Sequence, residues 1–93
     1  PPPRKLPARL VAPEHLKSPL VMHLEASLLE PIFAPDGACV SYFEQVNEAL
    51  VDVRVDNPQG DAEITIIGRP WYQKRAEWLL RAMASSRRQY QAQ

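Results

Sequence analysis

A single cysteine, Cys39, stands among 93 residues, so the chain can close no internal disulfide and offers no thiolate set for a metal ion. Such usage fits a reducing compartment, and the cytosol or the nucleus is the expected setting. No apolar run approaches the roughly 18 residues of a membrane span, so none is expected. The residues of a reactive site are missing too. His15 and His23 have no Cys, Asp or Glu at ligand spacing, which argues against a metal centre. Ser27 and Ser41 lie in no nucleophile motif, and nothing pairs them with a histidine. Internal repeats are absent. No enzyme activity, metal or cofactor is expected, and binding is the function class that remains.

What is there is a short chain with segregated charge. Ninety-three residues make one small domain, burying roughly 65% of the surface that its unfolded chain exposes. Net charge is zero, yet residues 1–24 carry Arg4, Lys5, Arg9 and Lys17 against Glu14. Residues 25–63 carry nine acids against Arg54 alone, and residues 64–93 carry six bases against Glu77 alone. Two faces of opposite sign are therefore expected.

Most of the prolines fall in residues 1–19, which read as an extended or irregular Pro-rich arm ahead of a domain over residues 20–93. The arm is either a solvated tail or, given Leu10, Val11 and Leu16, a segment laid across the domain. Residues 20–24 read as a short strand. Ser27-Leu28-Leu29-Glu30 has the form of a capping box, and Pro31 and Pro35 confine the helix it opens to a stretch closing by Phe33. Ala34-Pro35-Asp36-Gly37 is a turn in which Gly37 is expected to take φ > 0. Val40, Phe43, Val46 and Leu50 recur at helical spacing, predicting a second helix over residues 39–49. Residues 50–56 alternate with Val51, Val53 and Val55 on one face, and residues 62–67 return as a β-branched strand, so the pair reads as an antiparallel hairpin. Pro70 opens a last helix reaching about Tyr90, with Tyr72, Ala76, Leu79 and Met83 as its inward stripe and Trp71, Trp78 and Ala82 beside it. The predicted architecture is α+β, a three-stranded antiparallel sheet with three helices on one face.

That order of elements resembles the type I KH fold, which carries a G-x-x-G loop between its first two helices. Ala34-Pro35-Asp36-Gly37 occupies that place, with Ala34 where the first glycine should stand. A narrower resemblance rests on Leu16-Lys17-Ser18-Pro19, on Ile32-Phe33-Ala34-Pro35-Asp36-Gly37 and on Ala62 through Pro70. In order and spacing these segments are similar to the atypical KH family of mammalian oocytes and early embryos, whose members include oocyte-expressed protein, Filia and developmental pluripotency-associated protein 5. Different segments resemble different members. The resemblance implies a cytoplasmic, subcortical role as a small subunit of a maternal protein complex. The implied partners are an NLR-type leucine-rich-repeat protein and a transducin-like enhancer protein, and RNA binding is implied as well.

A working KH loop brings backbone N–H groups close to phosphates. Here Ala34 adds a Cβ, Pro35 removes a donor and Asp36 places a negative charge at the tip. Glu44, Glu48, Asp52 and Asp56 are expected to flank the cleft against Arg54. A phosphate meeting a like charge at an effective dielectric near 20 loses a few kcal/mol, so tight RNA binding by this loop is not expected. The alternative RNA surface is a basic one, with Arg4, Lys5 and Arg9 on the arm and Arg69, Lys74, Arg75, Arg81, Arg87 and Arg88 on the last helix. Against it stands the plainer reading of a solvated helix face. Trp71 and Trp78, two helical turns apart, are candidate anchors of a protein interface. Cys39 is expected to be a small buried residue. A homodimer through the arm or an open sheet edge is the remaining alternative.

Overall fold

The computed structural model describes residues 13–91. Arg4, Lys5, Arg9 and most of the arm lie outside the described residues. A short 3-10 helix, Pro13–Lys17, leads into strand β1, Leu20–Glu25. A 3-10 turn, Ala26–Leu28, then runs into helix α1, Leu29–Phe33. Helix α2 is Val40–Asn47, strands β2 and β3 are Leu50–Val55 and Asp61–Ile67, and helix α3 is Pro70–Gln91.

The strands pair in the order β1-β3-β2, all antiparallel, so β3 is central and both other strands are edges. Period-two alternation directs Met22, Leu24, Val51, Ala62, Ile64 and Ile66 to one face, where all are buried. Leu28, Phe33, Val40, Phe43, Ala76 and Leu80 come down on them from the helices. Phe33 and Phe43 meet edge to face, with ring centroids 5.7 Å apart. The predicted three-stranded sheet with three helices is thus the observed architecture.

Several local expectations need correction. Residues 13–17 are helical rather than extended: Pro13 presets φ at the opening of the turn and Pro19 follows its end. Ser27 is no cap. It lies inside the 3-10 turn, whose own backbone meets the Leu29 N–H through the Ala26 carbonyl, and Leu28 is the N-cap of α1. Cys39 is exposed at the N-cap of α2 rather than buried. The inward stripe of α3 is Gln73, Ala76, Leu80 and Ala84; Leu79 and Met83 only flank the core, and Tyr72 is half-buried. Large apolar side chains do not mark this face, because the helix approaches the sheet through two alanines.

The far end of α3 is held by charge. Arg88 donates through Nε and Nη2 to the Glu25 carboxylate at 2.6 and 2.8 Å, tying the end of β1 to the last turns of the helix. These guanidinium hydrogen bonds hold the Glu25 carboxyl down at about 2, against an ordinary 4.5. With the folded value depressed, the contribution is complete above about 4.5 and is lost as pH falls towards about 2. Both side chains are nearly half exposed, so salt screens the pair. With the intrinsic rate at each pH divided out, acidification across that window should lower the amide protection of residues 86–90. Arg88→Gln should be poorly protected at every pH, and added salt should narrow the difference.

Candidate functional site

The loop between α1 and α2 keeps the backbone that its sequence has partly abandoned. Ala34 takes φ 70 and ψ 169, Asp36 φ 58 and ψ 24, and Gly37 φ 69. Gly37 thus has the positive φ expected of it. Asp36 sits in the left-handed region that its short polar side chain tolerates. Ala34 lies in a region that is essentially reserved for glycine, at a strain of about 1–3 kcal/mol. Backbone bonds hold the shape: the Ala34 N–H donates to Glu30 O at 2.8 Å and the Cys39 N–H to Phe33 O at 2.8 Å. Ala34→Gly should therefore stabilise the domain, by about 1 kcal/mol once the greater freedom of glycine in the unfolded chain is subtracted. Urea denaturation reads this from the midpoint. A lowered midpoint would mean that the alanine is unstrained.

Beside the loop lies a groove of about 690 Å³ between α1 and α2 on one side and β2 on the other. Leu29, Phe33, Val40, Val53 and Val55 give it an apolar floor, and Pro58 of the β2–β3 turn closes one end. Among the described residues its only charged lining is Glu30 and Asp36, with no lysine or arginine. The acids expected at the cleft are elsewhere. Glu44 is buried, its carboxylate accepting the Val51 N–H at 2.8 Å. Glu48 caps the C-terminus of α2 and faces Arg69 at 3.6 Å. Asp52 and Arg54 fall on the opposite face of the sheet from Val51, and Asp56, just past β2, meets Arg54 at 3.5 Å. Glu30 went unnoticed as a groove residue. Its one signal was its place a helical turn before Ala34.

The basic residues of α3, with Arg69 just before its start, do not assemble into a free cationic row. Arg69 lies over the Tyr72 ring at 4.2 Å as well as near Glu48. Arg75 donates to the Val46 carbonyl at 3.3 Å and lies 5.2 Å from the same ring. Lys74 and Arg81 share Glu77, at 3.7 and 3.1 Å. Arg88 is held by Glu25. Arg75 and Arg87 make no ion pair among the described residues, and Arg87 makes no hydrogen bond or ring contact among them either.

The same helix presents its tryptophans to solvent. Trp71 is 71% exposed and Trp78 68%, on one stripe because seven residues make about two turns. Tyr42 and Val46, one turn apart on α2, are exposed as well, and the Arg75–Val46 bond links the two helices.

Sheet order, loop position and flanking groove together define a KH-like domain. The chain matches, over residues 7–91, the model of the MOEP19 family, described as a KH-like RNA-binding domain. It belongs to that family. Among curated relatives it is 37% identical to oocyte-expressed protein homolog of Papio anubis over 79 residues, 85% of this chain and 53% of that one. It is 37% identical to human KH domain-containing protein 3, over 85% of this chain and 36% of the relative. It is 32% identical to mouse developmental pluripotency-associated protein 5A, over 87% of this chain and 70% of that protein. The chain thus spans about half, or less, of the length of the first two relatives.

Proposed function

We propose that this domain is a non-enzymatic protein-interaction module, a KH fold that works through protein contacts, and that it serves as a small subunit of a maternal protein assembly in the oocyte and early embryo. The observation that carries the reading is the pair of exposed tryptophans on α3. Tryptophan is the side chain most enriched among residues that dominate binding energy, and a domain this small gains nothing from leaving two of them in water. Lys74 and Arg81, within four residues of Trp78, share the single carboxylate of Glu77, so an acidic protein surface is the fitting partner for that face. The lining of the groove supports the same reading, since among the described residues it offers phosphate two carboxylates and no cation. The family resemblance supplies the context: an NLR-type leucine-rich-repeat protein and a transducin-like enhancer protein as partners, in the subcortical cytoplasm.

The second reading, single-stranded RNA binding, is favoured by the description of the family and by Arg87, which has no ion pair among the described residues. Cross-linking mass spectrometry on the protein in its native cell, scoring protein and RNA adducts together, distinguishes the two. Protein adducts should concentrate on α3, with Lys74 as the reactive handle. Trp71→Ala/Trp78→Ala should lower their recovery at least tenfold, with stability changed by no more than about 0.5 kcal/mol per exposed site. RNA adducts alone, or unchanged recovery in the double variant, would reject the module reading.

A further inference from the structure

On the reading of this domain as an interaction module, we infer that the tryptophan face of α3 docks an amphipathic helix in which apolar and acidic residues each recur every seven positions. Spacing selects the helix. Trp71 and Trp78 are seven residues apart on α3, which sets them about 10.5 Å apart along its axis. Side chains on one face of an extended strand recur at about 6.7 and 13.4 Å, so a strand that meets one tryptophan misses the other. Residues i and i+7 of a second helix lying along α3 recur at the matching distance and meet both.

The charges repeat with the same period. Lys74 and Arg81 are also seven residues apart, both are exposed, and they share Glu77, one carboxylate between two cations. Helical geometry places them in one row on a flank of the tryptophan stripe. Arg88 is next in that row and reaches Glu25 at the end of β1, so the cationic flank is the one over β1. Arg75 lies on the other flank, where it donates to the Val46 carbonyl of α2 and leans on the Tyr72 ring. With Arg88 and Arg75 engaged, Lys74 and Arg81 are left to receive carboxylates from the docked helix. Two cations against one carboxylate are little for a nucleic acid, whose affinity comes mostly from neutralising phosphates. They suffice to orient a helix that binds through its apolar stripe.

Beyond Trp78 the stripe continues through Ala82 and Ser85, both exposed and both small. The indoles therefore stand at one end of a low track, and large apolar side chains of the docked helix fill the stretch beside them. Gln73, Ala76, Leu80 and Ala84 hold α3 to the domain from the opposite side. The docking face is thus preformed and loses little freedom on binding.

The probe is the acetylated, amidated peptide (Leu-Ala-Gln-Leu-Glu-Ala-Glu)3 with a fluorophore, titrated into the full chain by anisotropy. The indole N–H signals of Trp71 and Trp78 are followed by NMR in parallel. Glutamate on both flanks lets the peptide dock in either direction and keeps it from pairing with itself. Three controls share its salt: the peptide with lysine for every glutamate, the peptide with an alanine of its middle repeat replaced by proline, and a 12-nucleotide oligouridine. The glutamate peptide should bind at least tenfold more tightly than either control peptide and shift both indoles. Trp71→Ala/Trp78→Ala should weaken it tenfold or more. Lys74→Glu/Arg81→Glu should reverse the preference, and tight binding of the lysine peptide then also shows that the variant is folded. Equal binding of the proline peptide, or a charge-swapped variant that still prefers glutamate, overturns the inference. So does the absence of saturable binding by the glutamate peptide. If protein adducts in the cell still depend on Trp71 and Trp78, the module reading stands and only the helix is discarded. Tighter binding of oligouridine with shifts at the same indoles would make the face an RNA site and overturn both.

Discussion

Leu80→Ala should destabilise the domain by about 3–4 kcal/mol, at least twice the effect of the same replacement at Leu79. Leu80 is fully buried on the inward stripe of α3, within the core formed by Ile64, Ile66 and Phe33. Removing its isobutyl group loses the transfer free energy and leaves a cavity, a combination that costs about 2–5 kcal/mol in well-packed sites. Leu79 only flanks that core and stays partly in water, so its truncation costs about 1–2 kcal/mol and leaves no closed cavity. The two side chains are neighbours in sequence and identical in chemistry, so the comparison isolates burial. Urea denaturation with a constant slope supplies both values. Equal losses would place both residues on the boundary of the core and restore the stripe through Tyr72, Leu79 and Met83. Leu80→Met, which conserves volume, should cost less than about 1.5 kcal/mol.

The stripe shows where hydropathy reading reaches its limit. The strands were legible because β-branched residues alternate along them, and that alternation buries Val51 and half-buries Val53 against the helices, while Val55, on the same face, stays exposed. Helix α1 was legible as well, since Pro31 and Pro35 leave it no room beyond Phe33. In α3 the inward face is drawn by a glutamine and two alanines beside one leucine, so large apolar side chains do not mark it. Ala34 is a similar case. An alanine carries no local sign of positive φ, and only the loop closed around it imposes that value. The acids were misplaced for a different reason. Asp52 and Asp56 are near the groove in sequence, but period two assigns Asp52 to the other side of the sheet. Glu44 turns inward to serve a backbone amide. Glu25 and Arg88, 63 residues apart, give no pattern that a single chain could reveal.

Gln73 is the polar residue on that inward face, and its loss should be the second largest effect. Its side-chain amide donates to Ser18 O and Ile66 O, both at 2.9 Å, so one group joins the first turn of α3 to the lead-in segment and to β3. Gln73 is buried, and the bond to Ile66 is buried with it. Gln73→Leu keeps the volume and deletes both donors. The Ser18 carbonyl, only part-buried, can turn to water, whereas the lone pair of Ile66 O cannot, so a loss of about 2 kcal/mol is expected. Gln73→Glu separates hydrogen bonding from packing. At neutral pH it sets a carboxylate against two carbonyl oxygens in a buried place, costing about 3 kcal/mol or more. Burial and those oxygens raise the pKa of the introduced carboxyl above its unfolded value. The variant is therefore most stable below the unfolded pKa and loses stability as pH rises through the folded one. Thermal melts of Gln73→Leu and Gln73→Glu from pH 4 to pH 8 make the comparison. The leucine variant should follow the wild-type profile at a constant offset, and the glutamate variant should approach or pass it at the acid end, where its protonated carboxyl can donate to one carbonyl. A glutamate variant with the wild-type pH profile would show that the amide at position 73 bridges nothing.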